Sequence, residues 1–469
     1  MDIEVLFRQA ADEAARYRKS ISERLHRPKE DYAAASDAFE EPLPEVMSEP
    51  GAVIEALVAR AEPGLHLMTG PRFFGWVIGG SHPVGVAADM LTSAWGQNAG
   101  NHSAAPAASA VESLSARWLL ELLGLPRQSS VGFVTGATVA NFTCLAAARG
   151  EVLRRQGWDA DAQGLFGAPP ITVLIGDDAH TTVFSALQFL GLGRDRVIRI
   201  PTDEEGRIRP DAFITALAAI EGPAIAILQA GQINTGAFDA FAALIPEAKA
   251  KGAWVHVDGA FGLWARACPA KRLLAAGVEL ADSWATDGHK WLQTPYDCGY
   301  AIVRDELAHR RAMTIAASYL PLAQAGERDP SHYVPELSRR ARGFATWAMI
   351  KHLGRSGIAE LVEKNCHAAT EIARMIAARD GIRVLNAVQL NQVIVQFGDD
   401  LAPEATDRMT QDVIALLQKE GQIFAGGAEW RGRQVMRISV SNYQTDEDQA
   451  EMAAEVILAA YARVSSGMA

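Results

Sequence analysis

The chain has 469 residues, a formal net charge of −12, 49% apolar and 21% charged residues, an ordinary globular composition long enough for two or three cores. Its negative balance argues against nucleic acid or an anionic membrane surface as partner, and the absence of an 18-residue apolar run speaks against a membrane span. The four cysteines, Cys144, Cys268, Cys298 and Cys366, lack C-x-x-C spacing; no disulfide framework or metal site is expected, and a cytoplasmic protein without an export signal fits.

Leu6, Ala10, Ala14, Tyr17, Ile21 and Leu25 recur at spacings of three and four, the apolar stripe of a helix. The run Glu40-Glu41-Pro42-Leu43-Pro44 then breaks helical structure. Residues 1–60 therefore read as an N-terminal helical arm and linker, packed either on its own domain or on another subunit. From Pro71 to Pro83 the chain is aromatic and glycine-rich together; such a loop can wall a pocket, with Trp76 as a candidate substrate contact. The polar run Gln97–His102, which includes Asn98 and Gly100, can line a site or serve as plain loop.

Val131–Val134 reads as a strand entering the small-residue turn Thr135-Gly136-Ala137-Thr138, and Val139, Phe142, Ala146 and Leu153 mark the helix after it. Free N–H groups at a helix start bind phosphate well, and Thr138 adds a hydroxyl; similar turns also occur where nothing binds. Further apolar runs at Ile171–Ile175, Val197–Ile200, Ala224–Leu228, Trp254–Val257 and Tyr300–Val303 alternate with helix-like stretches. That alternation predicts an α/β domain, a mostly parallel sheet covered by helices on both faces. His180 falls just past the first of these strands, on the sheet edge where ligands bind, although a structural histidine is the alternative.

The strand Trp254–Val257 stops on Asp258, followed by the small residues Gly259, Ala260 and Gly262. A carboxylate therefore sits at a strand's C-terminal end with room for a flat group beside it. Lys290 follows 32 residues later, directly after His289 and among apolar neighbours. Three readings of this pair are open: a buried ion pair, an unrelated solvated lysine, or the lysine and acid of pyridoxal phosphate chemistry, in which lysine forms the Schiff base and the acid pairs with the pyridinium nitrogen. After Pro335 a helix near Ile358–Arg379, a strand Gln392–Phe397, a helix 404–419, a strand Val435–Val440 and a helix 446–463 read as a smaller α+β domain. The division expected is 1–60 for the arm, 61–340 for the large domain and 341–469 for the small one.

Seven motifs in order decide between the readings: Pro-Arg-Phe-Phe-Gly at 71, Thr-Gly-Ala-Thr-Val-Ala-Asn at 135, Ala-His-Thr-Thr-Val at 179, Asn-Thr-Gly-Ala-Phe-Asp at 234, His-Val-Asp-Gly-Ala-Phe-Gly at 256, Asp-Gly-His-Lys-Trp-Leu at 287 and Tyr-Asp-Cys-Gly at 296. From about Pro71 onward the chain resembles the fold-type-I, pyridoxal-phosphate-dependent group II amino-acid decarboxylases. The resemblance implies that Lys290 is the Schiff-base lysine and Asp258 the partner of the pyridine nitrogen. His180 would stack on the ring with Ala260 beneath its other face. Ala137 and Thr138 would hold the phosphate, and His289 would lie near the phosphate or the substrate carboxylate. Tyr319 falls where such enzymes carry a tyrosine on a mobile loop that protonates the α-carbon. The resemblance also implies a homodimer with a shared site, to which the 97–102 run comes from the other subunit.

Departures from the family pattern bear on substrate. Asp258-Gly259-Ala260-Phe261 stands for the usual Asp-Ala-Ala-Tyr, and Gln232-Ile233-Asn234-Thr235 replaces a threonine-rich run, which leaves the partner of the ring hydroxyl open. Asn98 and Gly100 occupy places where aromatic-amino-acid enzymes carry bulky apolar groups, so a polar or aliphatic substrate is expected ahead of an aromatic one. The expected reaction is decarboxylation of an L-amino acid to its amine. The alternatives are decarboxylation with oxidative deamination to an aldehyde, transamination or carbon–carbon lyase chemistry, and a cofactor-binding protein without catalysis.

Overall fold

In the computed structural model, which describes residues 2–314 and 327–467, the short apolar runs become one seven-stranded sheet. Its strands are β1 (Ser130–Val134), β2 (Thr172–Gly176), β3 (Ile198–Ile200), β4 (Ala224–Gln229), β5 (Trp254–Asp258), β6 (Ser283–Asp287) and β7 (Gly299–Val303), in the order β1-β7-β6-β5-β4-β2-β3. Only β7 runs against its neighbours, β1 and β6, and the other pairings are parallel. Alternate residues feed two separate cores: Leu174, Ala226, Leu228 and Val255 on one face, Val173, Ile175, Ile225 and Ile227 on the other. This period of two, with both faces buried, is what a helix-covered sheet requires. The helices Ala137–Arg154 and Thr181–Phe189 cover the second face, through Ala140, Cys144, Val183 and Leu187.

The strand β6 was not anticipated from periodicity. Its residues Ser283, Trp284, Ala285, Thr286 and Asp287 are all buried, yet three of the five are polar. Burial is tolerated where partners exist: Ser283 Oγ accepts from Trp254 Nε1 at 2.9 Å and meets His256 Nδ1 at 2.9 Å, so the group is not orphaned.

A second sheet carries β8 (Ile382–Val384), β9 (Gln392–Phe397), β10 (Gly426–Trp430) and β11 (Arg433–Ser439). Their order is β10-β11-β9-β8, with every pairing antiparallel. The helices Pro403–Glu420 and Glu447–Ser465 pack on it through Val413, Leu417, Ala453 and Ile457. The helix expected near residue 358 begins at Gly343 and runs to Ala377, interrupted at Gly354, where φ is 61°. A residue with positive φ cannot continue an α-helix, so two helical halves meet at Gly354, the first burying Ala345, Met349 and Ile350 and the second Ile358, Leu361 and Val362.

At the N-terminus, the helix Ile3–Lys19 is capped by Asp2 and buries no residue fully. It lies beside the helix Pro50–Ala61, tied through Gln9 to the Gly51 carbonyl at 3.2 Å and through Arg16 to Glu62 at 2.6 Å. Of the predicted stripe only Ile21 is buried, while Ile3, Val5 and Phe7 are 58%, 62% and 55% exposed. The four cysteines are buried and free.

Candidate active site

The parallel register pairs Gln229 with Asp258 and Asp258 with Ala285, so β2, β4, β5 and β6 end along one edge of the sheet. That edge opens into a cavity of about 410 Å³ lined by His180, Asp258, Ala260, Asp287, His289 and Lys290. Ala137 and Thr138 line it too, at the first turn of the helix Ala137–Arg154. The first-turn N–H groups of a helix have no intrahelical acceptor, so this end presents donors and positive potential to the cavity. Gly136 precedes that helix, and a Cβ on Gly299 would stand 2.6 Å from its Cα. The antiparallel β7 thus brings the helix start against the end of β6 at a separation that only glycine allows.

Asp258 ends β5 and is buried, its carboxylate accepting from the Ala260 N–H at 3.2 Å. Burial pushes this carboxyl above its ordinary range, opposed by nearby His180 and Lys290. His180 caps the helix Thr181–Phe189; its Nδ1 lies 2.8 Å from Thr182 Oγ1 and accepts from the Thr182 N–H at 3.4 Å. Acceptance at Nδ1 leaves the neutral ring's proton on Nε2. Burial holds the imidazole below its usual value, against the pull of Asp258.

Lys290 follows the turn Gly288-His289. A Cβ on Gly288 would come within 2.5 Å of Tyr300 Oη, so the turn is tight and aims the lysine inward. Its Nζ lies 3.0 Å from Asp287 Oδ2 and 5.9 Å from the centre of the Phe261 ring. The second oxygen of Asp287, Oδ1, is buried without a hydrogen-bond partner. His289 accepts the Cys298 N–H at Nδ1, 3.3 Å away, turns Nε2 toward Asp287 Oδ2 at 3.5 Å and stacks on Tyr296 at 4.3 Å. Burial lowers its ionisation, so the ring is neutral at pH 7.

Trp76, Ile78, Ile233, Phe261 and Tyr296 form the apolar part of the lining. Asn98 and Gly100 do not line the cavity within one chain. Asn98 Oδ1 accepts from the Arg339 N–H at 2.9 Å, and the Gly100 carbonyl accepts from the Ser331 N–H at 3.0 Å. Tyr319 lies outside the described residues. Gln232 is turn scaffolding, its Oε1 accepting the N–H groups of Asn234 and Thr235 at 2.6 and 3.0 Å.

Besides the apolar lining residues Ile78, Ile233, Phe261 and Tyr296, two charged residues at or beside the site were not singled out from the sequence. Asp287 ends β6 as Asp258 ends β5, a signal hidden because β6 itself was not recognised. Arg437, on β11, donates to Asn234 Oδ1 at 3.2 Å and lies close enough to His180 to oppose its protonation. Its signal was a lone guanidinium in the apolar strand Val435-Met436-Arg437-Ile438.

The residues present fit pyridoxal phosphate. The helix start suits a phosphate, the buried Asp258 carboxylate suits a cationic ring nitrogen, the small residues Gly136, Ala137 and Ala260 leave room, and Lys290 faces the same space. Residues 35–397 match the family described as the pyridoxal-dependent decarboxylase conserved domain. An aromatic-L-amino-acid decarboxylase of Bacillus atrophaeus is 26% identical over 87% of this chain and 85% of its own. An L-2,4-diaminobutyrate decarboxylase of Rhizobium meliloti is 29% identical over 87% and 81%. The crystal structure of Oryza sativa TDC with pyridoxal phosphate and tryptamine superimposes with a TM-score of 0.90 at 23% identity, covering 100% of this chain and 98% of that one. The chain therefore belongs to the pyridoxal-dependent decarboxylases, carboxy-lyases that act on amino acids with pyridoxal phosphate.

Proposed function

We propose that the cavity at the ends of β2, β4, β5 and β6 decarboxylates an L-amino acid to the corresponding amine, with Lys290 as the point of cofactor attachment. The observation that carries this reading is that Asp258, at the end of β5, and Lys290, in the turn after β6, face one cavity with a helix start. When bound, pyridoxal phosphate supplies an electron sink for the pair of electrons left when CO2 departs from the α-carbon. Ala137 and Thr138 would hold its phosphate, His180 and Ala260 would flank its ring, and Asp258 would keep its nitrogen protonated.

The chain's own groups do the remaining work. Asp287 holds the Lys290 amine in place before attachment, through the 3.0 Å pair. Arg437 and the Nε2 proton of neutral His180 offer a cation and a donor for the substrate carboxylate. His289 presents a second donor from Nε2, oriented by the Cys298 N–H. Trp76, Ile78 and Tyr296 receive the substrate side chain and exclude water. On resemblance, Tyr319 delivers the proton to the α-carbon.

The active form proposed is a homodimer in which Asn98 and Gly100 of one subunit complete the cavity of the other. What supports it is the apolar surface left exposed on the arm, Ile3 and Phe7 one turn apart on one face and Val5 on another. A cytoplasmic location is proposed from composition; among the described residues no helix is long and apolar enough to cross a membrane.

The test is a screen of purified, cofactor-loaded protein against proteinogenic and common non-proteinogenic L-amino acids, recording CO2 and product mass. CO2 with amine is expected. CO2 with aldehyde and ammonia would select the oxidative alternative, and absence of CO2 with every substrate would overturn the proposal.

A further inference from the structure

The segment Trp76–His82 forms one wall of the cavity and crosses the Lys290 turn at main-chain distance. The Gly79 N–H donates to the His289 carbonyl at 2.9 Å, and a Cβ on Gly79 would stand 2.3 Å from the Lys290 carbonyl oxygen. Within it Trp76, Val77 and Ser81 hold φ of 53°, 57° and 47°. That left-handed region is unfavourable for any side chain and most of all for β-branched valine. A strained segment keeps such a shape only where its surroundings over-determine it.

Following the segment's polar groups shows what does so. The Ile78 carbonyl accepts from Ser441 Oγ at 2.8 Å, and the carbonyls of Gly80 and Ser81 accept from Arg18 at 3.2 and 2.8 Å. Two of its N–H groups converge on one residue. Gly80 donates to Gln293 Oε1 at 2.7 Å, and His82 donates to the Gln293 carbonyl at 2.9 Å.

Gln293 is wholly buried and itself has φ of 59°. Its Nε2 donates to the Lys290 carbonyl at 3.0 Å and to the Ser441 carbonyl at 2.7 Å. Its Oε1 also takes the Tyr443 N–H at 3.3 Å. One amide thus joins the cavity wall, the Lys290 turn and the segment after β11. Its orientation is settled by its partners, since both donors face carbonyls and the oxygen faces N–H groups.

We propose that Gln293 is a positioning residue that fixes the Trp76–Ile78 wall relative to Lys290 and so sets which substrate side chains fit. The clamp is independent of the reaction; that its cargo is an amino-acid side chain rests on the decarboxylase reading. Trp76 and Ile78 sit on a segment whose shape is imposed from outside. Loosening the clamp should therefore cost substrate fit before it costs chemistry.

The experiment uses the full-length holoenzyme carrying Gln293→Met, which keeps length and removes every side-chain hydrogen bond, with Gln293→Glu as a second variant should the first not fold. Amide hydrogen exchange should accelerate by about tenfold or more in the peptide spanning 76–82. KM for the best substrate should rise about tenfold, with kcat per bound cofactor within about twofold. Placed on a Trp76→Ala background, the same substitution should raise KM by less than about twofold, because the two residues act as one unit. Unchanged exchange at 76–82 overturns the clamp whatever the activity. Faster exchange with an undiminished KM effect on the Trp76→Ala background overturns the link to substrate fit. If the wild type turns over no amino acid, the decarboxylase reading fails while hydrogen exchange still decides the clamp.

Discussion

Lys290 is held before any cofactor arrives, because its amine pairs with a carboxylate that is itself almost wholly buried. Asp287→Asn removes that ion pair, which must open before the amine can react. Labelling of the residue-290 peptide by pyridoxal phosphate and borohydride should then be faster in cofactor-free protein; an unchanged rate would show that Asp287 does not restrain the lysine. Lys290→Ala should lose the visible absorbance of bound cofactor and the borohydride-fixed label, and a label on another peptide would remove Lys290 from its role. Asp258→Asn keeps the shape and deletes the charge. Turnover should drop by more than a hundredfold, since even ~3 kcal/mol of lost stabilisation has that effect, and near-normal turnover would leave Asp258 a structural residue. Asp258, His180 and the Lys290 turn were legible because each follows a recognisable strand or sits in an ordered motif. Arg437 and Gln293 were not, because their roles come from segments more than a hundred residues away: Arg437 reaches Asn234 and Gln293 reaches Gly80.

Among elements, the strands that stand as apolar runs between breakers were the readable ones, β1, β2, β3, β4, β5, β7, β9 and β11, while the three-residue β8 was too short to stand out. The Gly-Gly-Ala-Glu-Trp run of β10 carries no such pattern and forms only against β11. The passage from the N-terminal helix to the large domain holds an acid-sensitive element. His26 takes the Arg72 N–H at Nε2, 3.2 Å away, and its own N–H bonds the Gly421 carbonyl at 2.6 Å. Burial, helped by Arg72, depresses its ionisation from 6.5 to about 4. The unfolded chain therefore binds the proton first. Stability is full above pH about 6.5, falls as pH drops through the window to about 4, and levels off below it. The loss amounts to roughly 3 kcal/mol by linkage. Denaturant midpoints across pH 7 to 4 should show this slope in the wild type and a shallower one in His26→Gln; equal slopes would assign the acid sensitivity elsewhere.

At the level of the whole molecule, a chain with charge −12 leaves the apolar side chains Ile3, Val5 and Phe7 exposed on its first helix. Sedimentation should give a dimer for the full chain. Replacing Ile3, Val5 and Phe7 together by Ser should shift it toward monomer and lower activity per chain if the second subunit completes the site. A fully active monomer would detach Asn98 and Gly100 from the cavity.

The antiparallel placement of β7 has a consequence for synthesis. It is the last strand of the large sheet to be made, yet it takes a place in the interior of the sheet, between β1 and β6. Its first residue, Gly299, lies against both the helix start at Gly136 and Asp287 at the end of β6, with no room for a side chain. A growing chain emerges N-terminus first, so the helix start at Ala137 and Lys290 are both translated before the strand that lies between β1 and β6. Vitamin-derived cofactor offered to a ribosome-bound chain stopped short of residue 299 should wash away, and retention should begin only once β7 has emerged and inserted.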